Sequence, residues 1–274
     1  MIQTLHLFRP LNQELLERLR SLAPTDWSRA TVAGSWMIKD VASHLLDGNL
    51  RVIALYRDGW QLPSEAISDY NQLVSYLNRL NADWVVATRR LSPALLIEWL
   101  EMTHEPYIRC FEQLDPAAPA VYSVAWAGES VSSNAFHIAR EYTEKWHHQQ
   151  QIQDALSSER IMTRSFYYPV LDTFLQALPF TYQSIPSPEG TRLCVHITGE
   201  AGGTWVIEKQ EQGWRFADDS DLSADAVVKI PASIAWKLFT KAVSPEQARS
   251  HIAIAGKEDI TTPVLGMLSV MALR

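Results

Sequence analysis

One stretch of this chain reads His137-Ile-Ala-Arg-Glu141-Tyr-Thr-Glu144-Lys-Trp-His147-His148. An α-helix turns by about 100° per residue, so positions 137, 141, 144 and 148 fall within roughly 60° of one another on one face. Glu144 and His148 lie one turn apart, a spacing that lets a carboxylate and an imidazole bind the same borderline metal ion, such as zinc. A second interpretation stays open, in which an exposed helix simply turns its His and Glu side chains to water.

The composition is that of an ordinary globular protein. The chain has 274 residues, of which 47% are apolar and 20% charged, and two domains are expected at this length. A net charge of −7 without a basic cluster argues against a nucleic-acid-binding surface. The apolar runs are far shorter than the ~18 residues of a membrane span, and the N-terminus lacks the pattern of a secretory signal. We therefore expect no membrane segment and a cytoplasmic location.

The two cysteines, Cys110 and Cys194, lie far apart in the sequence. Neither belongs to a pair with metal-ligand or redox spacing. Each adjoins an apolar residue, which predicts buried and inert thiols. If the protein performs thiol chemistry, we expect the thiol to arrive with a cosubstrate.

The first half of the chain has the apolar spacing of helices. The predicted segments run at about 11–22, 35–59, 64–91, 93–114 and 132–156. Ser92 and Pro93 have the residue types of a helix N-cap and a first helical position, and Pro106 predicts a kink or break. Five segments with mostly short connections imply an antiparallel four-helix bundle with one accessory segment. Bundle cores are a usual place for inward-facing His and Glu ligands.

After about residue 157 the pattern changes to short segments of period two. One more helix is predicted from Phe166 to Leu178, with Pro179 ending it. Predicted strands follow at 192–198, 204–209, 214–216, 225–230 and 251–255, and predicted helices at 231–239 and 262–271. The expected fold class is α+β, with a metal-binding four-helix bundle over residues 1–157 and a smaller α+β domain over 158–274.

His44 is the candidate for a third metal ligand. It follows Val41 by nearly one turn and adjoins Leu45, so it borders the inward face of its helix. A lone histidine in such a place is most often a packed, hydrogen-bonded core residue. Combined with Glu144 and His148, it would complete a set of two histidines and one carboxylate, which suits a catalytic zinc with an open position. The residue types alone would also suit Fe(II), Mn(II) or Ni(II).

Two motifs and the domain order resemble a known superfamily. The motif Trp36-x-Ile-Lys-Asp-Val-x-x-His44-Leu resembles the start of the second helix of DinB-like metalloproteins. The motif Glu144-x-Trp146-x-His148-x-Gln150-x-Ile152 resembles the later helix of their mycothiol-dependent maleylpyruvate isomerase branch. Residues 224–259 resemble the small α+β domain, similar to sterol carrier proteins, that follows the bundle in that branch. The resemblance covers nearly the whole chain.

Carried over residue by residue, the resemblance implies that His44, Glu144 and His148 bind a divalent metal, with zinc expected. Relatives commonly have Asp-Ile-Arg shortly after the ligand histidine, where this chain has Gln151-Ile-Gln153. A partner of the ligands or of a substrate carboxylate is therefore expected to differ here. The adjacent His147 is rotated by about 80–100° from the ligand face, which favours His148 as the ligand.

The resemblance also implies thiol chemistry on a small molecule. A low-molecular-weight thiol, whether mycothiol, bacillithiol or glutathione, would bind at the open metal position, lose its proton and add to an electrophilic carbon. The outcome is cis-trans isomerisation if the thiolate leaves again and S-transfer if it stays. An anionic substrate needs a cation near the metal, and the candidates by position are Arg79, Arg140, Lys237 and Arg249. The expected partners are the thiol and the substrate, and the chain is expected to be a monomer or a homodimer.

Three alternatives remain at this point. The same site would suit a metal-dependent hydrolase in which Glu141 acts as general base. The chain would instead be a binding module without catalysis if Trp205, Trp214, Trp236 and Phe239 lined an apolar cavity, although aromatic residues at such spacing are usually core. A bundle that has lost its activity and works as a regulator is the third.

Overall fold

The computed structural model describes residues 3–61, 66–217 and 223–271. The first half of this described part is helical. Its longer helices are α1 (Phe8–Arg20), α2 (Ile38–Tyr56), α3 (Tyr70–Thr88), α4 (Pro93–Glu112) and α5 (Asn134–Ala155). They correspond to the five predicted segments. The predicted start of the third segment, at Ser64, lies outside the described residues.

Four of these helices form the bundle. Helix α1 packs on α4 and α5, and α2 packs on the same two helices, while α3 packs on α2. Apolar side chains three and four positions apart supply the core, because that spacing places them on one stripe of each helix. The main core cluster includes Leu15, Leu19, Val41, Leu45, Leu96, Leu100 and Ile152. Helix α3 is therefore the accessory segment of the predicted arrangement.

The helix ends follow the residue types that the sequence offers. The Ser92 side chain accepts a hydrogen bond from the backbone N–H of Leu95 at 3.2 Å, and Pro93 is the first residue of α4. The Ser133 side chain caps α5 in the same way. Helix α4 continues through Pro106 to Glu112, so the chain does not break there, and a kink at Pro106 stays a prediction. Burial of the flanking turns in the bundle holds this helix together despite the lost backbone donor.

The second half is built on a mixed five-stranded sheet. Its strands are β1 (Arg192–Thr198), β2 (Gly203–Gln210), β3 (Gly213–Phe216), β4 (Ala226–Pro231) and β5 (Ala253–Ala255). They lie in the order β3-β2-β1-β4-β5. Strand β1 pairs in antiparallel with β2 and in parallel with β4, and the outer pairs are antiparallel. The predicted strands and the α+β class are confirmed.

The helices of the second half are α6 (Arg164–Phe174), α7 (Leu178–Tyr182), α8 (Ala232–Phe239), α9 (Pro245–Arg249) and α10 (Glu258–Thr261). They differ from the prediction in four places, which are the region before Pro179, the unpredicted α9 and α10, and residues 262–271. Where one helix was predicted over 166–178, α6 ends at Phe174. Pro179 lies in the first turn of α7, so it begins a helix instead of ending one.

The predicted helix over 262–271 was wrong. A 3₁₀ turn over Pro263–Gly266 takes its place, followed by non-helical residues. Pro263 has no backbone donor and Gly266 has low helix propensity, which disfavours a helix here. Val264 and Leu265 are buried in the core, so their apolar character reflects burial and does not indicate a helix.

Helix α9 was missed although a capping box marks its start. The Ser244 side chain accepts from Gln247 N at 3.2 Å, and Ser244 N donates to Gln247 Oε1 at 2.9 Å.

The aromatic residues that were weighed as cavity lining are core side chains. Trp205, Trp214, Trp236 and Phe239 are all at most 7% exposed. The Trp205 indole donates to Asp172 Oδ1 at 3.2 Å, and the Trp214 indole donates to the Ile185 carbonyl at 3.1 Å. The polar edges of these rings are therefore satisfied inside the fold, as buried tryptophans require.

The chain divides into two compact units. One contains the described residues up to 121 together with 133–162, and the other contains 122–132 and the described residues from 163 onward. The sequence-based boundary between residues 157 and 158 stays a prediction. Among the described residues, no helix has the length and apolarity needed to cross a membrane.

Removal of a core side chain tests the packing of the bundle. We expect Leu100→Ala to lower the free energy of unfolding by about 2–5 kcal/mol, because Leu100 is fully buried and its loss leaves a cavity. Met102 on the same helix is 65% exposed, so Met102→Ala should change stability by less than about 0.5 kcal/mol. Chemical denaturation followed by circular dichroism measures both. Equal effects would contradict the assignment of the buried face of α4.

Candidate metal centre

The packing of α2 against α5 brings two histidines together from distant parts of the sequence. The ring centroids of His44 and His148 are 4.5 Å apart, with an interplanar angle of 77°. The Trp36 ring lies 5.0 Å from the His44 ring and 6.5 Å from the His148 ring. The pair of imidazoles is thus covered by an aromatic side chain that precedes α2.

Glu144 completes a small cluster with His148. Its Oε2 atom lies 3.5 Å from His148 Nε2, and the two side chains are 27% and 12% exposed. Burial by itself would raise the pKa of Glu144, but the hydrogen bond to His148 and the neighbouring His148, His147 and Arg140 lower it to about 2. The carboxylate is therefore ionised and offers lone pairs only.

His44 is neutral and has an unsatisfied nitrogen. Burial lowers the pKa of His44 well below its usual value, and the nearby His148 and Arg51 lower it further. Its Nδ1 atom is buried and has no hydrogen-bond partner among the described residues. An orphaned buried polar atom costs about 1–3 kcal/mol. A metal ion is a partner that would satisfy such a nitrogen.

His147 lies closer to the cluster than the helical rotation suggested. Glu144, His147 and His148 offer ligand atoms that all lie within 4.8 Å of one another. The His147 and His148 rings are 4.7 Å apart. Burial and the neighbouring His148 lower the pKa of His147 to about 3, so this ring is neutral.

Gln151 contacts both adjacent histidines. Its side-chain oxygen lies 2.9 Å from His148 Nδ1, and its side-chain nitrogen lies 2.8 Å from His147 Nε2. Gln151 was noted in the sequence only as a departure from an acidic position. The signal for its contacts was its spacing of three and four residues from the two histidines, which places all three on neighbouring positions of one helix face.

A second cluster of polar side chains lies on α5, one to two turns before Glu144 and His148. Arg140 forms an ion pair with Glu141, and it also donates from Nη2 to His137 Nδ1 at 3.1 Å. Since arginine has only donors, His137 must carry its proton on Nε2, from which it donates to the Tyr56 hydroxyl at 3.2 Å. Burial lowers the pKa of His137 to about 4.

Glu141 is fixed by two partners. Besides its pair with Arg140, it accepts a hydrogen bond from the Tyr107 hydroxyl at 3.1 Å. Burial alone would raise the pKa of Glu141, but the charge of Arg140 and the nearby His137 lower it. This carboxylate is held ionised and tied to a cation, which weakens it as a proton acceptor.

The other cations proposed from sequence lie elsewhere. Arg79 is on α3, where its guanidinium carbon lies 5.3 Å from the Tyr76 ring centroid. Lys237 and Arg249 are on α8 and α9 in the second unit. Of the four candidates, Arg140 is the one on the helix that carries Glu144 and His148.

Comparison with known proteins identifies the family. A family model described as the mycothiol maleylpyruvate isomerase N-terminal domain matches residues 8–153, which is more than half of the chain. The chain belongs to this family. The match confirms the resemblance that the sequence motifs gave.

Two solved structures share the fold of this member of the mycothiol maleylpyruvate isomerase N-terminal domain family. They are the mycothiol-dependent maleylpyruvate isomerase and a histidine-to-alanine mutant of it. Each has a TM-score of 0.52 and 10% sequence identity, and each match covers 92% of this chain and 91% of the other. At this identity the likeness shows the fold alone. No curated protein sequence matches the chain significantly.

A buried lysine sets the register of the two helices that carry the cluster. The Lys145 ammonium donates to the Leu45 carbonyl at 3.0 Å and to Asn49 Oδ1, and it lies 4.5 Å from the Tyr107 ring centroid. Asn49 in turn donates to Thr103 on α4 at 2.8 Å. Leu45 and Lys145 are the neighbours of His44 and Glu144, so this contact fixes the helices at the level of the cluster.

Shortening Asn49 tests this polar contact. We expect Asn49→Ala to lower the free energy of unfolding by about 1.5–3 kcal/mol, because it removes a hydrogen bond to a charged, buried group. Asn78 on α3 is exposed, and Asn78→Ala should have little effect. Thermal and chemical denaturation measure both variants. A neutral Asn49→Ala would mean that the Lys145 ammonium finds an equivalent partner.

Proposed function

We propose that His44, Glu144 and His148 together bind one divalent metal ion, with zinc as the first candidate. The proposal is supported by the close approach of the two imidazoles, the ionised carboxylate 3.5 Å from His148 Nε2 and the unsatisfied Nδ1 of His44. Two histidines and one carboxylate are a usual ligand set for a catalytic zinc that keeps an open position. Bound there, a divalent cation favours the thiolate form of a thiol cosubstrate at neutral pH.

The proposed reaction is thiol-dependent cis-trans isomerisation of a small unsaturated acid. The single observation that carries it is the family match over residues 8–153, which supports the expected class of thiol-dependent enzyme. The thiolate adds to one carbon of a conjugated double bond, and the electron pair moves onto the adjoining carbonyl group. Rotation about the new single bond follows, and the reverse electron movement expels the thiolate. The thiol is regenerated, so no oxidant or reductant is required.

The named relatives guide the choice of thiol and substrate. Both solved structures are of a mycothiol-dependent maleylpyruvate isomerase. We therefore take mycothiol as the first thiol to test, before bacillithiol and glutathione, and maleylpyruvate as the first substrate. The cytoplasmic location and the monomeric or homodimeric state stay predictions.

We assign Arg140 the binding of a substrate carboxylate. Its side chain is 16% exposed, and its Nε atom is buried without a hydrogen-bond partner among the described residues. A free N–H on a fixed guanidinium suits a carboxylate oxygen, because planar donors match that geometry. Glu141 then orients Arg140 and does not act as a base. The bonds from Arg140 and Tyr107 to Glu141 also disfavour the hydrolase alternative, which needs a free general base.

Metal content tests the proposed ligands. We expect the purified protein, offered zinc, to bind about one equivalent, and His44→Ala and His148→Ala to lose it, because three protein ligands are needed for a tight site. Elemental analysis and a competition titration measure the content and the affinity. His251 is exposed and in the other unit, so His251→Ala is the matched control. A wild-type protein that binds no divalent metal would overturn the proposal.

Steady-state kinetics test the role of Arg140. With mycothiol and maleylpyruvate, we expect Arg140→Gln to lower kcat/KM by roughly 10- to 100-fold, mostly through KM, which is the range of one charge-assisted hydrogen bond. Its zinc content should equal that of the wild type. Arg109→Gln, at a side chain that is 69% exposed, should match the wild type. Unchanged kinetics in Arg140→Gln would remove this residue from the substrate site.

A further inference from the structure

Gln151 is placed where it decides the protonation of two adjacent imidazoles. It is 4% exposed, so its amide group has little access to water. Its oxygen faces His148 Nδ1 at 2.9 Å, and its nitrogen faces His147 Nε2 at 2.8 Å. A buried amide in this arrangement is held at both ends.

The chemistry of an amide fixes the role of each ring nitrogen. The Gln151 oxygen can only accept, so His148 Nδ1 must carry a proton. The Gln151 nitrogen can only donate, so His147 Nε2 must offer its lone pair. With Nδ1 donating to Gln151, the nitrogen of His148 left for a metal ion is Nε2, the atom that lies 3.5 Å from Glu144 Oε2. The Nε2 lone pair of His147 is therefore already taken by the Gln151 amide.

We infer that Gln151 is a positioning residue that selects His148 over His147 as the metal ligand. This inference rests on the proposed metal at His44, Glu144 and His148. Gln151 holds the Nδ1 side of His148, so that Nε2, which faces Glu144, is the nitrogen that binds the ion. It also occupies His147 Nε2, so the neighbouring imidazole does not compete for the ion. One uncharged side chain thereby performs two tasks in adjacent residues.

An acidic residue at position 151 would perform only one of these tasks. A carboxylate accepts from His148 Nδ1 as the amide does, but it has no donor for His147 Nε2. His147 would then have to carry its proton on Nε2 and would present its Nδ1 lone pair instead. A carboxylate also makes the ligand imidazole more basic and tightens the metal. The amide therefore accepts from His148 Nδ1 without adding a charge, and it donates to His147 Nε2, which a carboxylate cannot do.

Two substitutions separate these effects. We expect Gln151→Leu to weaken zinc binding by about 10- to 100-fold, the usual cost of losing a group that orients a ligand histidine. We expect Gln151→Glu to bind zinc at least as tightly as the wild type and to switch His147 to the Nε2–H tautomer. The control is Gln149→Leu, on the same helix and 1% exposed, with no hydrogen bond to either histidine. Its zinc affinity should equal that of the wild type.

The readouts are zinc affinity by competition titration and the tautomers by long-range ¹H–¹⁵N correlation spectroscopy of the imidazoles. In zinc-loaded wild type, His148 should show a metal-bound Nε2 and a protonated Nδ1, and His147 should show a protonated Nδ1 and no metal.

Wild-type zinc affinity in Gln151→Leu, or a metal-bound His147, would overturn the inference. A wild type that binds no zinc would instead overturn the proposed function. In that case the tautomers of His147 in the metal-free proteins still test the role of Gln151. An Nδ1–H tautomer in the wild type and an Nε2–H tautomer in Gln151→Glu would support it. The same His147 tautomer in both proteins would reject it.

Discussion

The contact of the Lys145 ammonium with the Leu45 carbonyl and the Asn49 amide is the constraint on which the site depends. A charge at 4% exposure is costly to bury, and burial lowers the pKa of Lys145 to about 7. The few acceptors within reach therefore determine where the ammonium lies. Because these acceptors are on α2 and the lysine is on α5, the pair allows one register of the two helices. That register places His44 against His148.

Some polar residues of α5 are held by partners that are themselves fixed. Arg140 is held by His137 and Glu141, and Glu141 is held by Tyr107. Such networks are rigid because each lost bond leaves a buried polar group unpaired. In this network the exceptions carry the functional argument. They include the Nδ1 of His44 and the Nε of Arg140, which have no hydrogen-bond partner among the described residues.

The local patterns of the sequence predicted most elements, and their failures have physical causes. The bundle helices and the strands were predictable because burial follows the 3.6- and 2-residue periods directly. The false helix at 262–271 arose because apolar residues such as Val264 and Leu265 are buried without being helical. Pro179 was taken as a stop, yet proline is equally compatible with a first turn, and only the chain direction after Phe174 decides between the two.

The sequence by itself determined the contacts between residues of one helix. The spacing of Glu144 and His148 follows from 3.6 residues per turn, and so does the reach of Gln151 to His147 and His148. The tertiary structure decided which of these groups is neutral, which nitrogen holds the proton and whether His44 meets them. Those properties depend on burial and on the register of α2 against α5. Both are set by contacts between residues about a hundred positions apart, such as that of Lys145 with Leu45, and no local pattern encodes them.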